Sequence, residues 1–93
     1  MIRFEWDEKK NLQNVLKHGI NFKEASSVFF DENGLIIDDP AHSESEERFI
    51  LIGFSSLANI LVVCHCFREN DEIIRIISAR KATKNEAKQY LRR

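Results

Sequence analysis

Three stretches of β-branched and other apolar residues follow one another in the second half of the chain, separated only by short polar turns. They run over residues 48–55, 59–67 and 72–79, and each has the length of a single strand. Strands joined by turns as short as SSLA and RENDE form antiparallel hairpins most economically, which predicts a three-stranded meander. The central stretch, ILVVCHCF, is apolar on both faces, so we expect helices or a partner to cover it on both sides.

The start of the chain carries the signals of a short strand and a helix. Residues 2–6 alternate in polarity and predict a strand. Asp7 can cap a helix that runs from about Glu8 to His18 and ends at Gly19. The apolar stripe of this helix has the spacing of a face that packs against a core, and it consists of Leu12, Val15 and Leu16.

A second helix and a short strand follow. Asn21, with Glu24 three residues later, predicts the start of the helix. Its buried side would hold Phe22, Ala25, Ser26, Phe29 and Phe30. A turn over residues 31–34 leads to a strand over residues 35–38, and residues 40–47 read as a polar, acidic loop.

The last helix completes the predicted element order. Thr83 and Glu86 have the spacing of a capping box, and the apolar contacts of this helix would come from Ala87, Tyr90 and Leu91. The order β-α-α-β-β-β-β-α is typical of α+β proteins. We therefore expect a small, mainly antiparallel sheet of four to five strands with helices packed against it. The 93 residues fit one domain, residues 1–93.

The charge is distributed unevenly along the chain. Residues 1–47 carry five basic and eleven acidic side chains, whereas residues 48–93 carry nine basic and four acidic ones. The two halves therefore have net charges of −6 and +5. A basic surface from the second half would suit phosphate groups. It would equally suit an acidic protein partner, and many domains of low net charge have such an asymmetry by chance.

Cys64 and Cys66 flank His65 in the central strand. On a regular strand both cysteines lie on one face, too far apart for a disulfide, and His65 points to the other face. We therefore expect two small buried thiols and no metal or cofactor site. No stretch is apolar enough for a membrane span, and the N-terminus lacks the apolar core of a signal peptide. These features predict a cytoplasmic protein without a membrane partner.

Basic side chains on the last predicted strand are the first candidates for a site. A period of two places Ser78 and Arg80 on one face with Ile74 and Ile76, and Arg75 on the other. Arg75 lies among isoleucines, so it must reach an acidic partner, solvent or a ligand phosphate. Arg80 lies at the strand end before a helix, which suits either an anion or a solvated charge.

Three further residues are candidates on chemical grounds. Lys17 and His18 close the first helix, where cations are favoured by the helix dipole alone, and a histidine can also transfer protons at neutral pH. Arg48 begins a strand directly after several glutamates, and local charge pairing is sufficient to explain it. His65 reads more simply as a core residue, and His42 lies in the acidic loop.

Common catalytic motifs are missing from the sequence. It has no P-loop, no GxSxG, no HExxH and no glycine-rich dinucleotide motif. RNA cleavage by attack of the 2′-hydroxyl needs none of these. It needs a base, cations for the developing charge on phosphorus and an acid for the leaving oxygen. Histidine, lysine and arginine supply all three roles.

Four segments in order along the chain resemble the BrnT toxin family: FEWDEKKN, KHGINFKEA, EERFILIGFS and RIISARKATKNEAKQY. Together they extend over residues 4–90. The part IISARKATKNE is the most specific of them. The chain departs from the family pattern in the loop PAHSESEE, which lacks a glycine before the Glu-Arg pair, and in the Cys-His-Cys-Phe of the central strand.

The resemblance implies a fold and a function. It implies a RelE-like fold and a metal-independent endoribonuclease that arrests translation and growth, with RNA as its substrate and no cofactor. It also implies neutralisation by a BrnA-like antitoxin that carries the DNA-binding domain, so that operator DNA is bound only through the antitoxin, and a toxin–antitoxin heterotetramer is one assembly it allows. Carried onto this chain, the active face would hold Lys17, His18, Arg48, Arg75, Ser78 and Arg80. Because Arg75 and Arg80 lie on opposite faces of a regular strand, both can serve one site only if a bulge or the strand end turns one of them.

Two other hypotheses stay open at this point. The chain could be a catalytically inactive module that binds a partner and acts as co-repressor with a DNA-binding antitoxin. Direct binding of specific DNA by this chain alone is disfavoured, because no predicted helix is strongly basic along one face.

Overall fold

The computed structural model describes residues 2–39 and 46–92, and within them it contains a five-stranded sheet and three helices. The elements are β1 (Arg3–Glu5), α1 (Glu8–His18), α2 (Phe22–Ser27), a 3₁₀ turn (Val28–Phe30), β2 (Leu35–Asp38), β3 (Phe49–Phe54), β4 (Ile60–Arg68), β5 (Ile73–Lys81) and α3 (Lys84–Leu91). The predicted α+β class is confirmed. None of the helices in the described residues is long and apolar enough to span a membrane.

The strand order in the sheet is β1-β5-β4-β3-β2. As the short turns predict, β3, β4 and β5 form an antiparallel meander, and β2 adds to β3, also antiparallel. β1 pairs with β5 in parallel, so the sheet is mixed. This pairing joins distant parts of the chain, and no local pattern in the sequence predicts it.

The ends of the helices follow the predicted capping signals. The Asp7 side chain accepts a hydrogen bond from the backbone N–H of Lys9, and Gly19 ends α1 with a left-handed φ of 75°. The capping box of Thr83 and Glu86 starts α3. Two apolar predictions at helix ends are wrong, because the side chains of Phe30 and Leu91 lie largely in solvent.

Both faces of the central strand β4 are covered, as its apolar sequence predicts. Leu61 and Val63 point to the face that carries α2, which we call the α2 face, and Val62 points to the face that carries Tyr90 of α3, the α3 face. The core on the α2 face consists of Ile20, Phe22, Ala25, Val28, Leu51, Leu61, Val63, Ile76 and Ala79. A smaller cluster on the α3 face consists of Ile52, Val62 and Tyr90.

Helix α1 packs with a polar side chain instead of its apolar stripe. Its buried residue is Asn14, whereas the stripe predicted to pack, Leu12, Val15 and Leu16, lies in solvent. The reason is the edge of β5: β1 pairs only with Ile73–Arg75, so the backbone of Ala79 has no neighbouring strand on that side. The Asn14 amide donates to the Ala79 oxygen (2.7 Å) and accepts from the Ala79 N–H (3.1 Å), which satisfies both groups.

A β-bulge in β5 changes which side chains share a face. Cys64 pairs with Ser78 and His65 pairs with Ile76, so Ile77 has no partner on β4. Beyond the bulge the alternation is shifted by one residue. The regular alternation predicted from the sequence is therefore wrong at this point.

The shift brings the three polar candidates of β5 together. Arg75, Ser78 and Arg80 pair with Cys66, Cys64 and Val62, respectively, and all six side chains point to the α3 face. A shared site for the two arginines requires a bulge between them, and β5 contains one.

Replacing Asn14 by leucine should lower the free energy of unfolding by about 3 kcal/mol. The backbone groups of Ala79 and the oxygen of Ile20, which also accepts from Asn14 at 2.8 Å, would lose buried hydrogen bonds. Urea unfolding measures the change, with the neighbouring exposed residue as a control in Gln13→Ala. Equal stability of the two variants would contradict this account of how α1 is held.

Candidate functional site

A shallow concavity of about 240 Å³ lies where the last turns of α1 meet the bulge of β5. Its lining residues are Lys10, Gln13, Asn14, Lys17, His18, Ile77 and Ser78. None of these side chains is acidic. The lining offers two ammonium groups, one imidazole, one hydroxyl and the amide of Gln13, which suits an anion better than a cation. The amide of Asn14 is engaged with Ala79 and Ile20.

Lys17 and His18 lie at this concavity because of the way α1 ends. The backbone N–H of Gly19 bonds to the Val15 oxygen (2.8 Å) and stops the helix, so both residues fall in its last turn. Cations are favoured there by the helix dipole, by about 0.3–1 kcal/mol. In residues 2–39 and 46–92 no carboxylate forms an ion pair with Lys10 or Lys17. Within the described part of the chain, the charges of both lysines are therefore available to a ligand.

Arg75 and Arg80 flank Ser78 along β5 and are already paired with carboxylates. The guanidinium of Arg75 bonds to Glu5, its neighbour across the parallel β1–β5 pairing. Arg80 forms two hydrogen bonds with Glu86, of 2.7 and 2.9 Å. A phosphate group at either arginine would have to share it with that carboxylate, or use the N–H groups that the carboxylate leaves free.

The pair between Arg80 and Glu86 is strengthened by the start of α3. Glu86 also accepts a hydrogen bond from the backbone N–H of Thr83 (2.9 Å). The hydrogen bonds from Arg80, with those from Thr83, lower the pKa of Glu86 to about 2. The hydrogen bonds to Glu86 raise the pKa of Arg80. Arg80 is thereby fixed in place on the α3 face.

Arg48 does not line the concavity. It precedes β3, and its Nε lies 3.3 Å from the carboxylate of Glu46, which also bonds to Arg68 at 3.3 Å. The structure thus brings Lys17, His18 and Ser78 together, places Arg75 and Arg80 beside Ser78 on one face, and leaves Arg48 in a separate charge cluster.

Two lining residues, Lys10 and Gln13, were missed by reasoning from the sequence. Together with Asn14 and Lys17 they fall at the three- and four-residue spacings that share one face of a helix. The signal was therefore present in the sequence. The apolar residues of α1 obscure this signal, because their spacing predicts that they form the inward face of the helix.

A larger concavity, of about 560 Å³, has the opposite character. It is lined by Glu46, Glu47, Phe49, Phe67 and Asp71. Three carboxylates repel a phosphate backbone, so this larger surface is a poorer candidate for nucleic acid than the smaller basic one.

The two cysteines are free thiols, as predicted. Burial is the main reason that the pKa of Cys64 rises to about 12 and that of Cys66 also rises. Asp39, 3.4 Å from the Cys64 sulfur, adds to the effect there. Both thiols are thus protonated at neutral pH and are poor nucleophiles. Within the described ranges no group of three His, Cys, Asp or Glu side chains is placed to hold a metal ion.

His65 points away from the two cysteines, as predicted, and lies on the α2 face. It is fully buried against the rings of Phe29, Phe49 and Phe67. Its Nδ1 lies 3.2 Å from the Val63 oxygen, and its Nε2 has no hydrogen-bond partner among the described residues. Burial lowers the pKa of His65, so the ring is neutral at neutral pH. It belongs to the core and does not reach the concavity.

His65 should make the protein sensitive to mild acid. The folded state holds the ring neutral, whereas the unfolded chain protonates it below its ordinary pKa of 6.5. Protons therefore favour the unfolded state, and the stability that the neutral ring contributes is lost as the pH falls below 6.5. We expect this loss to reach at most about 1.4 kcal/mol per pH unit.

The measurement is chemical unfolding of the parent and of a His65→Leu variant between about pH 7 and pH 5. The parent should lose stability more steeply than the variant. Parallel pH profiles would show that the buried ring does not cause the sensitivity.

Glu86→Gln should lower the free energy of unfolding at neutral pH by about 1–2 kcal/mol, because it weakens both the cap of α3 and the bond to Arg80. The folded pKa of Glu86 is about 2 and the ordinary value is 4.5. The parent's higher free energy of unfolding, relative to the variant, is thus fully present above pH 4.5 and declines as the pH falls towards 2. Thermal unfolding at a series of pH values tests this, with the exposed Glu72→Gln as a control. A difference that does not change with pH would contradict the assignment.

Comparison with known proteins identifies a family and a solved structure of similar fold. The family model described as ribonuclease toxin, BrnT, of type II toxin–antitoxin system matches residues 6–86. The crystal structure of the Brucella abortus ribonuclease toxin, BrnT, is similar to this chain with a TM-score of 0.69 and 23% sequence identity, over 90% of this chain and 100% of that one. At this identity the likeness shows the fold. The comparison with curated proteins gives no match.

Proposed function

Because this chain belongs to the BrnT family of ribonuclease toxins of type II toxin–antitoxin systems, we propose that it cleaves RNA without a metal ion and is neutralised by a BrnA-like antitoxin. The proposal includes a single RelE-like domain over residues 1–93, acting in the cytoplasm. Binding to operator DNA would take place through the antitoxin, in an assembly such as a heterotetramer.

The observation that carries the catalytic part is the basic concavity between α1 and the bulge of β5. Cleavage of RNA through the 2′-hydroxyl concentrates negative charge on the non-bridging oxygens of the phosphorus. Lys10 and Lys17 are placed to stabilise that charge, and the Ser78 hydroxyl can donate a hydrogen bond to one of the same oxygens. Divalent metal ions prefer carboxylate and carbonyl oxygens. The lysine-rich lining therefore supports electrostatic stabilisation by the protein itself.

His18 is the proposed proton-transfer residue of this site. As a base it takes the proton of the 2′-hydroxyl, and the oxygen then attacks phosphorus. The bond to the 5′-oxygen breaks, and that oxygen leaves with a proton from an acid. The products are a 2′,3′-cyclic phosphate and a free 5′-hydroxyl. Lys17, at the same rim, is the neighbouring cation that can assist the leaving oxygen.

Arg75 and Arg80 are proposed to extend the phosphate-binding surface along β5. Both lie on the α3 face beside Ser78, and both side chains are partly exposed. A guanidinium has five N–H donors, so the two bonds to Glu86 leave Arg80 others for an RNA phosphate. Arg48 stays a weaker candidate, because Glu46 holds it outside the concavity.

The test is cleavage of total RNA by the purified chain, freed of any partner, in the presence of EDTA. The parent should cleave equally with and without EDTA. Lys17→Ala should lower the rate by roughly 10–100-fold, and His18→Ala by roughly 100–10,000-fold, because each removes one part of the transition-state stabilisation. Lys84→Ala, an exposed lysine of α3, is the matched control and should leave the rate unchanged.

Thermal unfolding of each variant shows whether a loss of rate is a loss of fold. Equal rates for Lys17→Ala, His18→Ala and the control would remove the concavity from the mechanism. A well-folded parent that does not cleave RNA would favour the alternative, an inactive module that acts as co-repressor with the antitoxin. Specific support for that alternative is the pairing of Arg48, Arg75 and Arg80 with carboxylates.

A further inference from the structure

Helix α1 carries three side-chain amides, and two of them are engaged inside the protein. Both the oxygen and the nitrogen of the Asn11 and Asn14 side chains form hydrogen bonds with other residues of the chain. The third amide, that of Gln13, is exposed and has no hydrogen-bond partner within residues 2–39 and 46–92. Gln13 lines the basic concavity, so its donor and its acceptor are both available to a ligand there.

Gln13 lies between the two lysines of the concavity. Lys10 is three residues before it and Lys17 is four residues after it, so the three side chains share one face of α1. The two lysines are the groups proposed to stabilise the charge on the cleaved phosphate. A phosphate held by them therefore places one of its two neighbouring nucleotides against Gln13.

An amide in this position suits a nucleobase better than a further phosphate group. The oxygens of a phosphodiester only accept hydrogen bonds, so they can use the NH₂ group of Gln13 but are repelled by its carbonyl oxygen. The edge of a base presents donors and acceptors side by side, and one amide can bond to both. The unpaired amide thus points to recognition of a base.

The bulge of β5 supplies the apolar surface that a base also needs. Ile77 is half-buried, has no partner on β4 and lines the same concavity. The flat face of an unstacked base can pack on this aliphatic side chain while its edge meets Gln13. The concavity therefore offers a face contact and an edge contact to one nucleotide of single-stranded RNA.

We propose that Gln13 determines specificity by binding the base of a nucleotide next to the cleaved bond, and that this base is adenine. The inference rests on the proposed function, from which it takes RNA as the ligand. An amide pairs with adenine by accepting from the N6 amino group and donating to the neighbouring ring nitrogen.

The other bases fit the concavity less well. The amino group of cytosine is bound best by a carboxylate, and none of the lining side chains is acidic. A lysine can bind guanine through its O6 and N7 atoms, but Lys10 and Lys17 are engaged by the cleaved phosphate. A pyrimidine also covers less of Ile77 than a purine does, and so gains less from packing.

The substrates for the test are short DNA strands that contain a single ribonucleotide. Only that nucleotide has the 2′-hydroxyl that attacks phosphorus, so the position of cleavage is fixed. Two sets of four strands vary the base on the 5′ side or on the 3′ side of the cleaved bond. In one of the two sets the parent should cleave the adenine strand with a kcat/KM roughly 5–20-fold above that of the other three.

Gln13→Met keeps the length of the side chain and removes its donor and acceptor. The advantage of adenine in kcat/KM should fall to less than roughly 2-fold in this variant. Gln89→Met is the matched control, because Gln89 is exposed on α3 and does not line the concavity. It should keep the preference of the parent. The ratio between bases is the decisive readout, since a loss of stability lowers the rates for all four strands together.

Binding of the same strands with the ribonucleotide replaced by its deoxy form separates this inference from the proposed function. If the parent does not cleave but binds the adenine strand most tightly, and Gln13→Met loses that preference, the base site stands and the ribonuclease proposal fails. Equal cleavage of all four bases, or a preference that Gln13→Met retains, would overturn the base site and leave the ribonuclease. A preference for another base would overturn the assignment of adenine, and a parent that neither binds nor cleaves these strands would overturn both proposals.

Discussion

The backbone of Ala79 is the point on which the arrangement of the rest depends. β1 is too short to pair with this part of β5, so the N–H and C=O of Ala79 would be buried without partners. Asn14 supplies both partners and thereby fixes the position of α1 along the edge of the sheet. The same contact brings Lys17 and His18 to Ser78 and turns the apolar side of α1 outward. The concavity and the exposed stripe are therefore two results of one pair of hydrogen bonds.

Much of the architecture could be predicted because its signals are local. The ends of α1 and the capping box of α3 follow from residues within one helical turn, and the meander follows from apolar stretches joined by short turns. The parallel pairing of β1 with β5 could not be predicted in this way, since it depends on contacts between distant residues. The predicted orientation of α1 was wrong for a similar reason. In the sequence, an asparagine that will be buried at a strand edge cannot be distinguished from an ordinary surface residue.

The sequence predicts which residue types the candidate site contains, but not how these residues come together. The sequence identified Lys17, His18 and Ser78 as chemically suitable, but their convergence depends on the bulge at Ile77, which shifts the strand by one residue. The carboxylate partner of Arg75, Glu5, lies 70 residues away along the chain, so no spacing rule connects the two. The role of each of these residues stays a prediction.

The parallel pairing of β1 with β5 has a consequence for the protein during its synthesis. The concavity needs α1 from the first part of the chain and Ser78 from the last strand, and Arg75 acquires its Glu5 partner only when these ends meet. A growing chain on the ribosome therefore contains no complete site until β5 has been made. The order of translation itself keeps an unfinished chain from acquiring the complete site.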